Sequence, residues 1–375
     1  MPEKRWNWQQ ADWTQFTYNP SLLEAHEQRF LQASWELTGV VKHFNQGTHD
    51  ALLIELMSQE AEESFAIEGE FLNRDSLQSS IRKHMGLPHA TTVQHPREHG
   101  VAEMMSQVYR DYEAPLTHDV LFDWHQMLMH GRRDLENVGG YRTHADAMEI
   151  VSGYIHKRQV HYEAPPSDAV PAEMDAFIQW FNASSPDNAG NGKAPMKGLE
   201  RAGVAHLYFL AIHPFEDGNG RIARALVNKI LAQHLGKPSV VALSKVIESK
   251  KKHYYEALAK QNTSNHLDGW LAYFADVIVE AQAYTQARIE FTLQEARLFE
   301  RHQGELNERQ AKVMHRLFQA GQEGFAGGLS AKNYMSMTGA SPATATRDLQ
   351  GLADLGILKK TGELKGTRYW LLLEA

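Results

Sequence analysis

The sequence predicts a mainly α-helical protein: a helical N-terminal region, a helical core interrupted by one β-hairpin, and a C-terminal winged helix-turn-helix. Three observations predict it. Apolar residues recur at helical spacing from residue 49 to about 303. Two β-rich runs flank a glycine-containing turn at 148–167. Residues 307–375 carry three helix patterns followed by two strand-like runs.

Residues 1–100 open on a tryptophan-rich stretch and continue as "HDALLIELMSQEAEESFAIEGEFL", with Leu52, Leu53, Leu56, Met57 and Phe65 at a helix-like period. Residues 101–285 read as the core, with helices at "VLFDWHQMLMH", "PAEMDAFIQWFN", "LERAGVAHLYFLAI" and "GNGRIARALVNKILAQHL". Residues 186–198 are a loop by their Gly, Pro and Asn content. "MEIV" and "QVHYE" are the strands of the hairpin, with its turn at Val151–Tyr154. A long helix over about 270–303 leads to the last domain, 307–375, with 286–306 as the linking helix. There "NERQAKVMHRLFQAG", "SAKNYMSMTG" and "SPATATRDLQGLADLG" are helices. The last two start at a Ser cap and end at Gly.

Composition excludes several classes of function. The net charge of −8 argues against whole-chain binding to nucleic acid or anionic membrane. The absence of cysteine removes thiolate chemistry and cysteine-ligated metals, and fits a reducing compartment. No apolar run is long enough to span a membrane and the N-terminus has no apolar signal core, so the expected location is the cytoplasm. Neither His125/His130 nor His206/His213 has H-E-x-x-H spacing, so no catalytic zinc site is expected.

The chemistry is concentrated in "HPFEDGNGRIAR", His213–Arg224. Pro214 ends the apolar helix before it and leaves His213 at a helix terminus. Gly218, Asn219 and Gly220 open the next helix, where successive amides and the helix dipole form an anion cradle. Arg221 and Arg224 stand at i and i+3 and share a face, with forks suited to phosphate oxygens. Asp217 is the carboxylate placed to hold Mg²⁺. His213 supplies a base near neutral pH. A cradle, a metal carboxylate, two guanidiniums and a base are the parts that phosphoryl transfer requires. The G-x-x-x-x-G-K-[ST] loop is absent, so this is not a Walker-type nucleotidase.

The stretch closely resembles the Fic signature H-P-F-x-[DE]-G-N-G-R-x-x-R, with all nine specified positions matched. The resemblance implies a helical Fic core with a β-hairpin flap, and transfer of AMP from ATP, with Mg²⁺, to a Ser, Thr or Tyr hydroxyl of a protein. It implies His213 as the catalytic base and Asp217 as the metal ligand. Glu216, Asp217, Gly218, Asn219, Gly220, Arg221 and Arg224 become nucleotide-binding positions. The flap turn, Val151, Ser152, Gly153 and Tyr154, would lie over the nucleotide. Tyr254, Tyr255 and Asn262 in "KKHYYEALAKQN" would close the adenine pocket. The related Doc branch lacks the second glycine and the Gly-Arg pair present here, which favours AMP over γ-phosphoryl transfer.

"SFAIEG", Ser64 to Gly69, resembles the family's inhibitory motif, with Ser64 and Glu68 at i and i+4 on one helical face. The resemblance implies that Glu68 pairs with Arg224 and displaces the γ-phosphate. The sequence looks the same whether this acts within one chain or across a homodimer. Other outcomes on the same fold are AMP removal, transfer of another nucleotide group such as UMP, or a DNA-binding regulator with a Fic core. For the last, Thr344, Thr346 and Arg347 fall on the recognition helix and Lys359, Lys360, Lys365 and Arg368 on the wing. The local balance of nine basic to six acidic residues in 307–375 is modest, and a protein-interaction or structural role is favoured over DNA there.

Overall fold

The computed structural model describes residues 5–372 apart from 43, 90–94, 153–158, 187–195, 320, 322–324 and 326. The chain forms two compact units, residues 1–36 with 53–284, and residues 37–52 with 285–375.

The core of the first unit is built around α7 (Gly198–Ile212), in which every residue except Leu210 is buried. A helix buried on all sides needs cover on all sides. α6 (Val170–Ala183) and α8 (Asn219–Leu235) pack against it directly. α4 (Pro96–Arg110) then packs on α8, on α3 (Arg74–His84) and on α5 (His118–Leu128). The charged residues of α7 are satisfied rather than solvated. Arg201 donates to the Phe181 carbonyl at 2.7 Å, to Gln233 at 2.7 Å and to Ser184 at 3.0 Å. α1 (Glu24–Val41), α2 (Gln46–Ile67), α9 (Leu243–Ser249), α10 (Lys251–Gln261) and α11 (Asp268–Arg301) complete the helices up to residue 301. Local signals account for several starts: Asn73 and Thr117 accept the Ser76 and Val120 amides that open α3 and α5.

β1 (Glu149–Ser152) and β2 (Gln159–Glu163) pair antiparallel, as the alternating runs at 148–163 lead one to expect. The register breaks between Ile150 and Val151, so β2 carries one extra residue, His161. Gly153 and Tyr154 lie outside the described residues. The tryptophan-rich start straps the base of this hairpin. Trp8 Nε1 donates to the Glu163 carbonyl at 2.7 Å, Trp6 meets Tyr162 edge-on at 5.4 Å, and the Asn7 amide donates to the Asn262 carbonyl at 2.8 Å.

In the second unit α12 (Glu308–Gln319), α13 (Ala331–Thr338) and α14 (Pro342–Asp354) precede an antiparallel pair, β3 (Leu358–Thr361) and β4 (Arg368–Leu371). Ser330 and Ser341 cap α13 and α14. Val313, Leu317, Leu349, Leu352 and Tyr369 form part of its own apolar core. Buried Asp348 ties it together, accepting from Arg309 at 2.8 Å and from the Tyr334 hydroxyl at 2.9 Å. Thr346, Arg347, Lys359 and Lys360 are exposed, and Thr344 and Arg368 half-buried; the side chain of Lys365 lies outside the described atoms. Among the described residues no helix is long and apolar enough to cross a membrane.

Candidate active site

α7 ends at His213, whose backbone is left-handed (φ 51°, ψ 59°), a conformation uncommon for a residue with a Cβ. Such strain persists only where the surroundings over-determine it. Here the Pro that follows forbids continued helix, and a buried arginine grips the turn. Arg142 donates to the His213 carbonyl at 2.8 Å, the Pro165 carbonyl at 2.5 Å, the Ile212 carbonyl at 3.3 Å and the Ser167 hydroxyl at 2.9 Å. Its own amide donates to the Pro214 carbonyl at 3.0 Å. Burial lowers its pKa to about 10, so it stays charged at the negative end of the α7 dipole. Nothing in a single loop arginine signals this role, because its partners are backbone oxygens of distant segments. Arg142→Ala leaves those buried carbonyls without a donor and should cost about 3 kcal/mol of stability, read by chemical denaturation. Lys, with no fork, should recover little of it.

His213 Nδ1 lies 3.2 Å from the Leu210 carbonyl. A carbonyl only accepts, so the proton is on Nδ1 and Nε2 keeps its lone pair. Burial pushes the imidazole down to about 4, leaving it neutral at physiological pH. Phe215 below it stacks on buried His125 at 4.2 Å.

The turn then reverses through Gly218 (φ 82°), the one glycine of the motif that needs positive φ. A Cβ there would come within 2.5 Å of Met129 Cε. Asn219 begins α8, and its side chain braces the turn from inside, accepting from the Phe215 amide at 3.0 Å and donating to the Phe215 carbonyl at 2.8 Å. Its side chain is thus committed to the turn, which leaves its backbone amide to the start of α8. Glu216 lines the cavity, yet its carboxylate is engaged elsewhere, accepting from the amides of Glu136 at 3.0 Å and Asn137 at 2.9 Å. It anchors the loop at Glu136 and Asn137.

Asp217 accepts from Arg132 at 2.7 Å, Arg221 at 2.8 Å and the Gly218 amide at 2.5 Å. Burial alone would raise its pKa, but Arg221, Arg132 and that amide hold it below the usual range. It is thus an ionised carboxylate beside the start of α8, on the wall of the cavity. That suits one protein ligand of Mg²⁺, which takes its remaining oxygens from phosphate and water.

Arg224, 1% exposed, donates through Nε to the Ser64 hydroxyl at 2.9 Å and through Nη2 to the Ser64 carbonyl at 2.8 Å and to Glu68 Oε1 at 3.1 Å. The shared helical face expected for Ser64 and Glu68 needs correction. α2 ends at Ile67, and Glu68 sits in the turn made by Gly69 (φ 78°), which aims it back at α8. It closes on Gly220, where a Cβ would meet Glu68 Oε1 at 2.8 Å. A second carboxylate, Glu70, accepts from Arg221 at 3.3 Å and pairs with Arg97. Both guanidiniums lie over the Phe65 ring, at 4.8 Å and 5.4 Å.

His213, Asp217, Gly218, Gly220, Glu68 and Arg224 line one open cavity of about 750 Å³. Its far end holds Leu207, Tyr254, Tyr255, Leu258 and Asn262. Tyr254 is buried with its hydroxyl 2.8 Å from His206 Nε2, whereas Tyr255 is 41% exposed. Asn262 donates to the carbonyl of His161 in the hairpin bulge at 3.1 Å, tying α10 to β2. Glu149, Ile150 and Val151 of β1 line the cavity, while Ser152 ends the strand.

Three imidazoles, buried His125 at about 4, buried His206 at about 3 and half-buried His213 at about 4, are held down by desolvation. In the unfolded chain they titrate near 6.5. Between those values the unfolded chain binds more protons, so their stabilisation is present above about pH 6.5 and is lost as pH falls towards 4. Each contributes on the order of 3 kcal/mol. Glu60, pushed up to about 7 by burial, and Glu62, also raised by burial, oppose this. Denaturation midpoints should fall steeply between pH 6.5 and 4.

Residues 115–231 match the Fic/DOC family, and residues 6–87 match a domain of unknown function, DUF4172. The chain is 28% identical over 209 residues to Protein adenylyltransferase Fic of Nematostella vectensis, covering 55% of this chain and 42% of that protein. It is 27% identical over 122 residues to Uridine 5'-monophosphate transferase of Xanthomonas campestris pv. campestris (strain 8004), covering 32% and 22%. The chain thus spans less than half the length of these curated relatives. The crystal structure of a Fic domain containing signaling protein from Bacteroides thetaiotaomicron VPI-5482 is similar in fold, with a TM-score of 0.50 at 18% identity, covering 70% of this chain and 97% of that one.

Proposed function

We propose that this chain is a nucleotidyltransferase that moves AMP from ATP to a hydroxyl side chain of a protein, restrained by Glu68. The observation that carries the reading is a neutral imidazole with Nε2 available, held rigidly beside the N-terminus of α8 and two buried guanidiniums. The match of 115–231 to the Fic/DOC family and the adenylyltransferase name of the Nematostella relative support it.

In the reaction His213 Nε2 takes the proton of the target hydroxyl. The oxygen attacks the α-phosphorus, the bond from that phosphorus to the β-bridging oxygen breaks, and pyrophosphate leaves. A phosphodiester to AMP remains on the target. The first amides of α8 meet the developing charge, and Arg221 and Arg224 hold the outgoing phosphates. Mg²⁺, held by Asp217 and phosphate oxygens, would neutralise phosphate charge. Tyr254 and Leu258 supply an apolar wall for the base. The hairpin offers β1 and β2 as a rail on which an extended target segment can add as a strand.

Intact-mass measurement after incubation with Mg²⁺ and either ATP or UTP tests the assignment. An added AMP mass with ATP supports it. A UMP mass alone would transfer the reading to the activity named for the Xanthomonas relative, and no adduct on the protein or on any added extract protein would remove it.

A further inference from the structure

α3 and α4 pack side by side, and at one end they bring together three donors that the reaction does not use. His84 closes α3, and His99 and Glu103 stand one turn apart on α4. Their ligand atoms all lie within 4.8 Å of one another. The two rings meet edge-on with centroids 4.6 Å apart, and His99 Nδ1 is 4.0 Å from Glu103 Oε2. His84 Nε2 is buried and has no hydrogen-bond partner. A buried imidazole nitrogen without a partner is costly unless something fills the position. No group of the described protein does so; His99 and Glu103 face it, and the cations Lys83 and Arg110 also lie in its surroundings, with Arg110 committed to the His84 carbonyl at 2.9 Å.

We propose that His84, His99 and Glu103 form a binding site for a borderline divalent cation, Zn²⁺ first among them. Two imidazoles and one carboxylate make a ligand set that such ions prefer and that Mg²⁺ does not. Tetrahedral ligands at about 2.0–2.1 Å from zinc stand closer together than these atoms do, so a small inward turn of the three side chains completes the site. Water takes the fourth position, since Glu103 is half-exposed. The His99 and Glu103 spacing, i and i+4, places both on one face of α4, which leaves His84 as the ligand that joins the two helices. The ion therefore staples α3 to α4. α4 also carries Arg97, the partner of Glu70, so the staple stiffens the frame behind that contact. The site is remote in role from Asp217: it takes no phosphate and stands whether or not the transferase reading holds.

Untagged full-length protein, stripped with chelator and dialysed, is titrated with Zn²⁺ by calorimetry, with Mg²⁺ as the control ion. One equivalent of Zn²⁺ should bind and raise the melting midpoint by at least about 2 °C at saturation, with no comparable response to Mg²⁺. His84→Ala and His99→Ala should each weaken binding tenfold or more, and Glu103→Gln should weaken it less. His84→Gln, which keeps the bulk, guards against a folding defect, since its circular dichroism should match the unaltered chain while zinc affinity falls. No zinc binding, or stoichiometric binding that survives His84→Ala and His99→Ala, overturns the proposal.

Discussion

His213→Ala should lower AMP transfer by about 10²–10⁴ while ATP still binds, because the loss is of proton transfer and not of the phosphate cradle. The side chain contributes only Nε2 to the reaction. Its Nδ1 is committed to the Leu210 carbonyl, and the turn that carries it is gripped by Arg142 through backbone oxygens. Alanine removes the base and leaves the start of α8 and both arginines as they are. A companion outcome follows from the imidazole standing at about 4. The free base is present across the neutral range, so the acid limb of transfer should lie near pH 4 to 5 and not at 6.5. Single-turnover rates against pH, with nucleotide binding followed separately, check both.

Glu68→Gly should raise transfer by about 100-fold. A carboxylate on Arg224 removes the guanidinium that the terminal phosphate needs and repels that phosphate, and a displacement of the reacting centre of about 1 Å costs that much. Ser64 continues to hold Arg224 through its hydroxyl and carbonyl, so the guanidinium stays oriented when Glu68 is gone. The stability cost should be moderate, about 1–3 kcal/mol, since buried Arg224 loses its carboxylate but keeps both bonds to Ser64. A large rise in rate with a modestly lowered melting midpoint and an unchanged circular dichroism spectrum separates a released restraint from a general loosening. Initial rates of adduct formation in parallel with thermal denaturation make the comparison.

The machinery was readable in the sequence where its parts are contiguous. Residues 213–224 hold the base, the turn and both arginines within one helix junction, and Pro214 and Gly218 mark where the backbone must break and reverse. Helices announced by side-chain caps, such as those opened by Ser330 and Ser341, were equally legible. What the sequence hid is non-local. Arg142 binds carbonyls of two distant segments, Arg132 reaches Asp217 across 85 positions, and the Trp6–Trp8 strap meets the hairpin 155 positions away. No local pattern encodes such partners. Glu68 shows the intermediate case. Its i and i+4 spacing from Ser64 suggested a helical face, yet Gly69 ends α2 and it is the turn that delivers the carboxylate to Arg224.

The central claim is that His213 drives AMP transfer and that Glu68 restrains it. The most direct measurement incubates the unaltered chain, Glu68→Gly and Glu68→Gly/His213→Ala with Mg²⁺ and ATP labelled at either the α- or the γ-phosphate, and counts protein-bound label. The account predicts label from the α-position only, strongest in Glu68→Gly and absent from the double variant. Label arriving from the γ-position, or α-label that persists without His213, would contradict it.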